Sequence, residues 1–255
     1  MKRMNTRIAS QKEPEFVQSL REATATLGGD AGYFMMRTQD EGKDVHHVLL
    51  ACDARWGFEY AASDCSSNDP WFRYAMGNSA PVRSTDVFCQ SGREQAVVEL
   101  AATYGFGSAA LFPAPSPQGR SRIALLVIGS RDSNVWHRFE STAYRAEARN
   151  IAMALHESWV DKLRDDFVQS SELSALDLRI LELELQGLRT KAIARHLGST
   201  NASVNSRIQR MNNKLHVTNR RSAALRSLEL GLVCLGDLQD RQAPVTNFVE
   251  SDARR

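Results

Sequence analysis

The chain has 255 residues, 42% hydrophobic and 24% charged, an ordinary globular composition that excludes a collagenous, coiled-coil or wholly disordered protein. At about 150 residues per domain, its length suggests two domains. The net charge of +2 says little as a total, but residues 187–226 hold nine Lys and Arg and no Asp or Glu, so the remainder is acidic and the asymmetry points to an anionic partner.

The N-terminal MKRMNTRIASQKEPEF is basic but has no apolar core, so it does not read as a secretory signal. Residues 14–27 predict a helix, with Phe16, Leu20 and Leu27 on one stripe, Pro14 early and Gly28-Gly29 as the stop. Residues 33–37 and 45–51 read as strands around the polar turn QDEGKD. His46 and His47, adjacent on a strand, point to opposite faces and cannot easily share one ion; they are expected as solvated strand-edge residues. Residues 94–104 predict a helix, and 109–112 and 123–129 a second strand pair. Gly105-Phe106-Gly107 lacks the third glycine of a dinucleotide fingerprint. Over 138–164 a long helix is expected, with Phe139, Ala143, Ala146, Asn150, Met153 and Glu157 roughly in phase. Residues 161–172 are polar and serve as a candidate linker. The fold class is therefore α/β followed by all-α: an α-β-α sandwich over 1–165, a four-helix domain over 166–236, and a flexible tail over 237–255.

The longest aliphatic run, residues 123–128 (IALLVI), suits a buried strand and is far short of a membrane span. Cys52, Cys65, Cys89 and Cys234 are scattered, and free thiols in a cytoplasmic protein are expected. No nucleophile-elbow, phosphate-loop or metalloprotease motif is present, so no catalytic residue and no metal ligand is assigned.

The basic segment carries the chemistry. Ser174 and Asp177 form a capping box that opens the helix SALDLRILELELQ, with Gly187 just past its end. Thr190 can cap a second helix, Thr200 a third, and Thr218 or Asn219 a fourth. On a wheel of the third helix, Val204, Ile208, Met211 and Leu215 fall within about 40° and form the buried stripe. The opposite face carries Asn205, Ser206, Gln209, Arg210 and Asn213, with Ser203 at its margin. Amides, hydroxyls and an arginine are groups that read base edges in a major groove. Arg189, Lys191, Arg195, Lys214, Arg220 and Arg221 form the phosphate-contact pool, and Arg207, near the buried boundary, is assigned to packing or phosphate contact.

These residues resemble a known family. L-S-A-L-D-L-R-I-L-E-L-E-L-Q-G, T-K-A-I-A-R-H-L-G and S-V-N-S-R-I-Q-R-M-N-N-K-L-H-V-T-N-R, over residues 173–233, closely resemble the LuxR-type helix-turn-helix, whose third helix enters the major groove. The N-terminal part looks like the autoinducer-binding domain of the quorum-sensing members, with Trp56, Tyr60 and Asp69-Pro70 at the family spacing. The resemblance implies that Trp56 donates to the carbonyl of an acyl-homoserine lactone, that Asp69 accepts from its amide, and that Tyr60 lines the acyl pocket. Three positions depart: Ser84 stands where the family has a second Trp, Ala109 where it has Gly, and Cys52 where it has Tyr. Trp71 and Phe72 are bulky enough to fill ligand space.

The expected function is a transcription regulator that binds double-stranded DNA with an inverted-repeat site as a homodimer, with RNA polymerase a further candidate partner and no membrane association. Two variants stay open: a lactone-gated regulator, and a ligand-independent one or one of altered specificity. A phosphorelay output protein needs an acidic pair and a phosphoacceptor Asp at a strand end, which the first half does not show.

Overall fold

The computed structural model describes residues 5–8, 13–40, 43–116 and 123–233. The expected tail, Cys234 and residues 117–122 of the second strand connection lie outside them. The chain divides into two compact units, the first ending at Lys162 and the second beginning at Leu163.

The first unit contains β1 (Asn5–Ile8), α1 (Pro14–Thr26), β2 (Ala31–Asp40), β3 (Lys43–Ala51), α2 (Ala54–Ala62), α3 (Pro70–Ala75), β4 (Val82–Arg83), α4 (Gly92–Ala101), β5 (Ser108–Ala114), β6 (Ala124–Ser130) and most of α5 (Thr142–Ser171). The six strands form one sheet in the order β1-β3-β2-β6-β5-β4, antiparallel except for the parallel β1–β3 pair. β6 is buried at every residue, as expected of a continuous apolar run covered on both faces. Side chains alternate across the sheet. Tyr33, Met35, Val48, Leu50, Leu111, Leu125 and Val127 pack against α2, α3 and α4 in one apolar cluster. The other face meets α5, where the Phe112 ring lies 6.3 Å from that of Tyr144 and the Tyr144 hydroxyl donates to the Leu27 carbonyl at 2.9 Å.

Several expectations are corrected. His46 and His47 are buried, not solvated, because β3 lies inside the sheet and helices cover both of its faces, with Phe72 of α3 over His46 and Trp159 of α5 over His47. Their rings do point to opposite faces: His46 lies 5.0 Å from the Phe72 ring and His47 6.2 Å from that of Trp159. On α1 the buried face is Val17, Leu20, Ala23 and Thr24, with Phe16 only half-buried. On α5 the buried residues are Tyr144, Ala148, Ala152, Leu155, His156 and Trp159; Ala143, Ala146, Asn150 and Glu157 are exposed. The polar stretch 161–172 is helical to Ser171, since its Lys, Leu, Arg and Gln are good helix formers. Phe167 and Val168 from this stretch pack on the core of the second unit. Gly105, with φ +97°, turns the chain out of the α4 extension, and a Cβ on Gly129 would lie 2.4 Å from its carbonyl oxygen. The Gly105-Phe106-Gly107 run is thus a tight turn packed against β6.

The second unit holds α6 (Ala175–Leu185), α7 (Thr190–His196), α8 (Asn201–Lys214) and α9 (Arg220–Glu229). Ile180, Leu181, Leu183, Ile193, Val204, Met211 and Leu215 form its core. The capping box is present in both directions between Ser174 and Asp177. Thr200 accepts from the Ser203 amide and Asn219 from the Ser222 amide. Thr190 does not cap: it is the first residue of α7, and Arg189 holds the cap position without a side-chain bond.

Candidate functional site

In the second unit the wheel of α8 is reproduced in space. Val204, Ile208, Met211 and Leu215 are buried, while Asn205, Ser206, Gln209, Arg210 and Asn213 are all exposed. Asn212 is buried beside them, a polar residue the wheel did not single out. The seven expected phosphate contacts separate into two groups. Arg189, Lys191, Arg195 and Arg221 are exposed. Arg207, Lys214 and Arg220 are half-buried and engaged within the unit. Arg207 NH1 donates to Asp177 Oδ1 at 2.9 Å, Lys214 Nζ to the Glu172 carbonyl at 2.6 Å, and Arg220 Nε to Glu184 Oε2 at 2.6 Å. Burial raises the Asp177 carboxyl, but the Ser174 hydroxyl and amide and the Arg207 guanidinium outweigh it and hold it below its ordinary value. Burial keeps Glu184 above its ordinary value despite Arg220.

In the first unit, Trp56, Tyr60, Asp69 and Trp71 are brought together in the cluster between the sheet and α2–α4, all at most 4% exposed. The Trp56 ring lies 5.2 Å from Tyr60, 6.0 Å from Tyr33 and 5.8 Å from Phe106. Asp69 caps α3: its Oδ1 accepts from the Trp71 and Phe72 amides at 2.8 and 3.0 Å. Its Oδ2 accepts from the Tyr60 hydroxyl at 2.7 Å. Burial raises the Asp69 carboxyl against these three hydrogen bonds, and burial with the nearby Asp69 charge drives the Tyr60 and Tyr33 phenols well up. The Tyr33 hydroxyl and the Trp71 indole N–H are buried with no hydrogen-bond partner among the described residues. Ser84 is not in this cluster; its hydroxyl accepts from the Ala109 amide at 3.1 Å, tying the turn after β4 to β5. Burial and the neighbouring Asp53 push the Cys52 thiol up to about 12.

Sequence reasoning missed α2, α3 and the role of Tyr33. The signal for both helices was there: Asp53 and Asp69 are N-caps that each accept from the following turn, and Pro70 sits at the first helical position, where its fixed φ is favourable.

Comparisons with known proteins agree with this arrangement. The family model described as "Autoinducer binding domain" matches residues 12–159, and that of "Bacterial regulatory proteins, luxR family" matches residues 171–227. No curated protein matches the chain. Among solved structures, SdiA in complex with octanoyl-rac-glycerol is similar at 16% identity and a TM-score of 0.62, over 86% of this chain and 88% of that one. Escherichia coli SdiA in another crystal is similar at 16% identity and 0.59, over 87% and 92%. CepR2 from Burkholderia cenocepacia, an N-acylhomoserine-lactone-dependent LuxR family factor, is similar at 14% and 0.40, over 56% and 92%. At these identities the structural likeness speaks to the fold, and the two family models together span nearly all of the described residues. The chain belongs to the LuxR-type transcription regulators that carry an autoinducer-binding domain.

Proposed function

We propose that the protein acts in the cytoplasm as a homodimer that reads an inverted-repeat DNA site. Its two α8 helices would be set about 34 Å apart to meet successive major grooves. The observation that carries this reading is the exposed polar row Asn205, Ser206, Gln209, Arg210 and Asn213, in a unit that also exposes the cations Arg189, Lys191, Arg195 and Arg221. Arg207, Lys214 and Arg220, held by internal partners, are left out of the phosphate-contact set. A gel-shift titration at several salt concentrations tests it. Arg210→Ala should weaken specific binding by about 1–3 kcal/mol and relax one base position, and Arg189→Ala should reduce the salt slope by about 1. Unchanged affinity and selectivity for R210A would overturn the assignment of that face.

For the first unit we infer an altered ligand specificity. Both Asp69 oxygens are engaged within the chain, whereas the Tyr33 hydroxyl and Trp71 N–H are buried and unpaired among the described residues, each costing about 1–3 kcal/mol without a partner. The ligand of this reading is amphipathic and carries an acceptor for these donors, such as an acyl-homoserine lactone or a monoacylglycerol of the kind named in the SdiA structure. A second, ligand-independent reading draws on Asp69, three of whose roughly four acceptor sites are already taken within the chain. Thermal shifts of the purified protein with each compound separate the two. If one compound stabilises it, Trp71→Phe or Tyr33→Phe should weaken that compound about tenfold; if neither does, and the protein binds DNA alone, the ligand-independent reading stands.

A further inference from the structure

Thr190 has a side chain that the fold uses sideways. Arg220 NH1 donates to Thr190 Oγ1 at 2.9 Å, and Thr190 Oγ1 donates to Asn205 Oδ1 at 3.3 Å. Arg220 itself is fixed from two sides: its Nε donates to Glu184 Oε2 at 2.6 Å, its NH2 to the Leu188 carbonyl at 2.9 Å, and NH2 also pairs with Glu184 Oε1. One chain of contacts therefore runs from the end of α6, through the start of α9 and the start of α7, to the exposed face of α8.

The proton arithmetic of this chain is directional. A guanidinium has donors and no acceptor, so Arg220 uses Thr190 as an acceptor. The single hydroxyl proton of Thr190 is then available to Asn205, whose amide is oriented with its oxygen toward the hydroxyl. The Asn205 carbonyl is thereby held against α7, and its NH2 group is the part left to a partner. An asparagine that reads adenine needs both ends of its amide, accepting from N6 and donating to N7. With its oxygen turned toward α7 and one of that oxygen's two acceptor sites taken by Thr190, Asn205 presents its NH2 group foremost, and the amide plane is not free to turn both ends onto one base.

We propose that Thr190, set by Arg220 and Glu184, is a specificity-determining positioning residue. It makes Asn205 a donor to base acceptors, guanine O6 and N7 or thymine O4, and withholds the two-bond adenine pairing. This rests on the reading of α8 as the base-reading helix.

The test is selection from a DNA pool with a randomised site, using the full chain as wild type and as Thr190→Val, Thr190→Ser, Asn205→Ala and Arg210→Ala. Circular dichroism melts accompany each variant. The base facing Asn205 is the position whose preference N205A abolishes. Wild type should prefer guanine or thymine there, T190S should keep that preference, and T190V should gain adenine by about tenfold, with affinity for non-specific DNA unchanged. An adenine preference in wild type, or a T190V profile identical to wild type in a folded protein, overturns the proposal. So does an N205A profile with no position altered. In that case R210A distinguishes the two levels: if it still relaxes a position, α8 reads bases and only the Thr190 role falls; if it does not, the reading of α8 falls with it.

Discussion

Arg207 and Arg210 stand three residues apart on α8, and their surroundings separate their roles. Arg207 is paired with Asp177 across to α6, while Arg210 faces outward. Removing Arg207 leaves a partly buried carboxylate without its cation, so Arg207→Ala should lower stability by about 1–3 kcal/mol with little change in the salt slope of DNA binding. Chemical denaturation of R207A and R210A side by side checks this, and equal midpoints would contradict it. The two buried histidines of β3 give a second residue-scale expectation. Burial and the nearby arginines hold both rings at a pKa of about 4, below the ordinary 6.5. The unfolded chain therefore takes up protons first as pH falls. The stability from each neutral ring is fully present above pH 6.5 and is lost as pH falls toward 4, with a ceiling of about 3 kcal/mol per ring. Melting temperatures measured from pH 7 to 4.5 should fall less steeply in His46→Leu than in wild type. His46 was the residue least legible in the sequence: alternation along a strand set it opposite His47, but its burial depends on α3, whose Phe72 lies against the ring and whose helix the sequence reading did not find.

At the scale of elements, the helices of the second unit were legible because each boundary has local chemistry. Ser174, Thr200 and Asn219 cap as their types and positions suggest, and the 3.6-residue period of α8 was strong enough to give both its faces. Thr190 was misread for a physical reason. The preceding residue already has the extended backbone of a cap, so the threonine falls one step inside the helix, and its hydroxyl accepts from Arg220 instead of an N-terminal amide. The contrast is measurable. Thr200→Ala should lose about 1 kcal/mol of stability, and Thr190→Ser should lose nothing comparable; thermal melts of the two variants report it. The sensory site was legible only as spacing. Trp56, Tyr60 and Asp69 do converge, but that the Asp69 carboxylate is consumed by the Tyr60 hydroxyl and two helix amides is a matter of orientation that spacing does not encode. The buried face of α5 was hidden because a long helix rich in alanine offers several apolar stripes, and only the aromatic partners select one.

At the scale of the whole molecule, the two units differ in how far apart in sequence their contacts lie. The central seam of the sheet pairs β2 with β6, joining Met36 to Ala124 and Ala31 to Gly129, whereas the contacts among α6 to α9, even that of Glu184 with Arg220, close much shorter loops. Non-local pairing slows folding, so in stopped-flow refolding the helical signal of the second unit should precede completion of the first; a single phase at all wavelengths would refute this. The placement of aromatic residues makes such an experiment unusually simple to read. The four tryptophans, Trp56, Trp71, Trp136 and Trp159, and the five tyrosines, Tyr33, Tyr60, Tyr74, Tyr104 and Tyr144, all precede Leu163. The second unit therefore has essentially no absorbance at 280 nm and no tyrosine or tryptophan emission of its own. A tryptophan-fluorescence melt follows the first unit alone, and a proteolytic fragment carrying only α6 to α9 would elute from a column unseen by the usual detector.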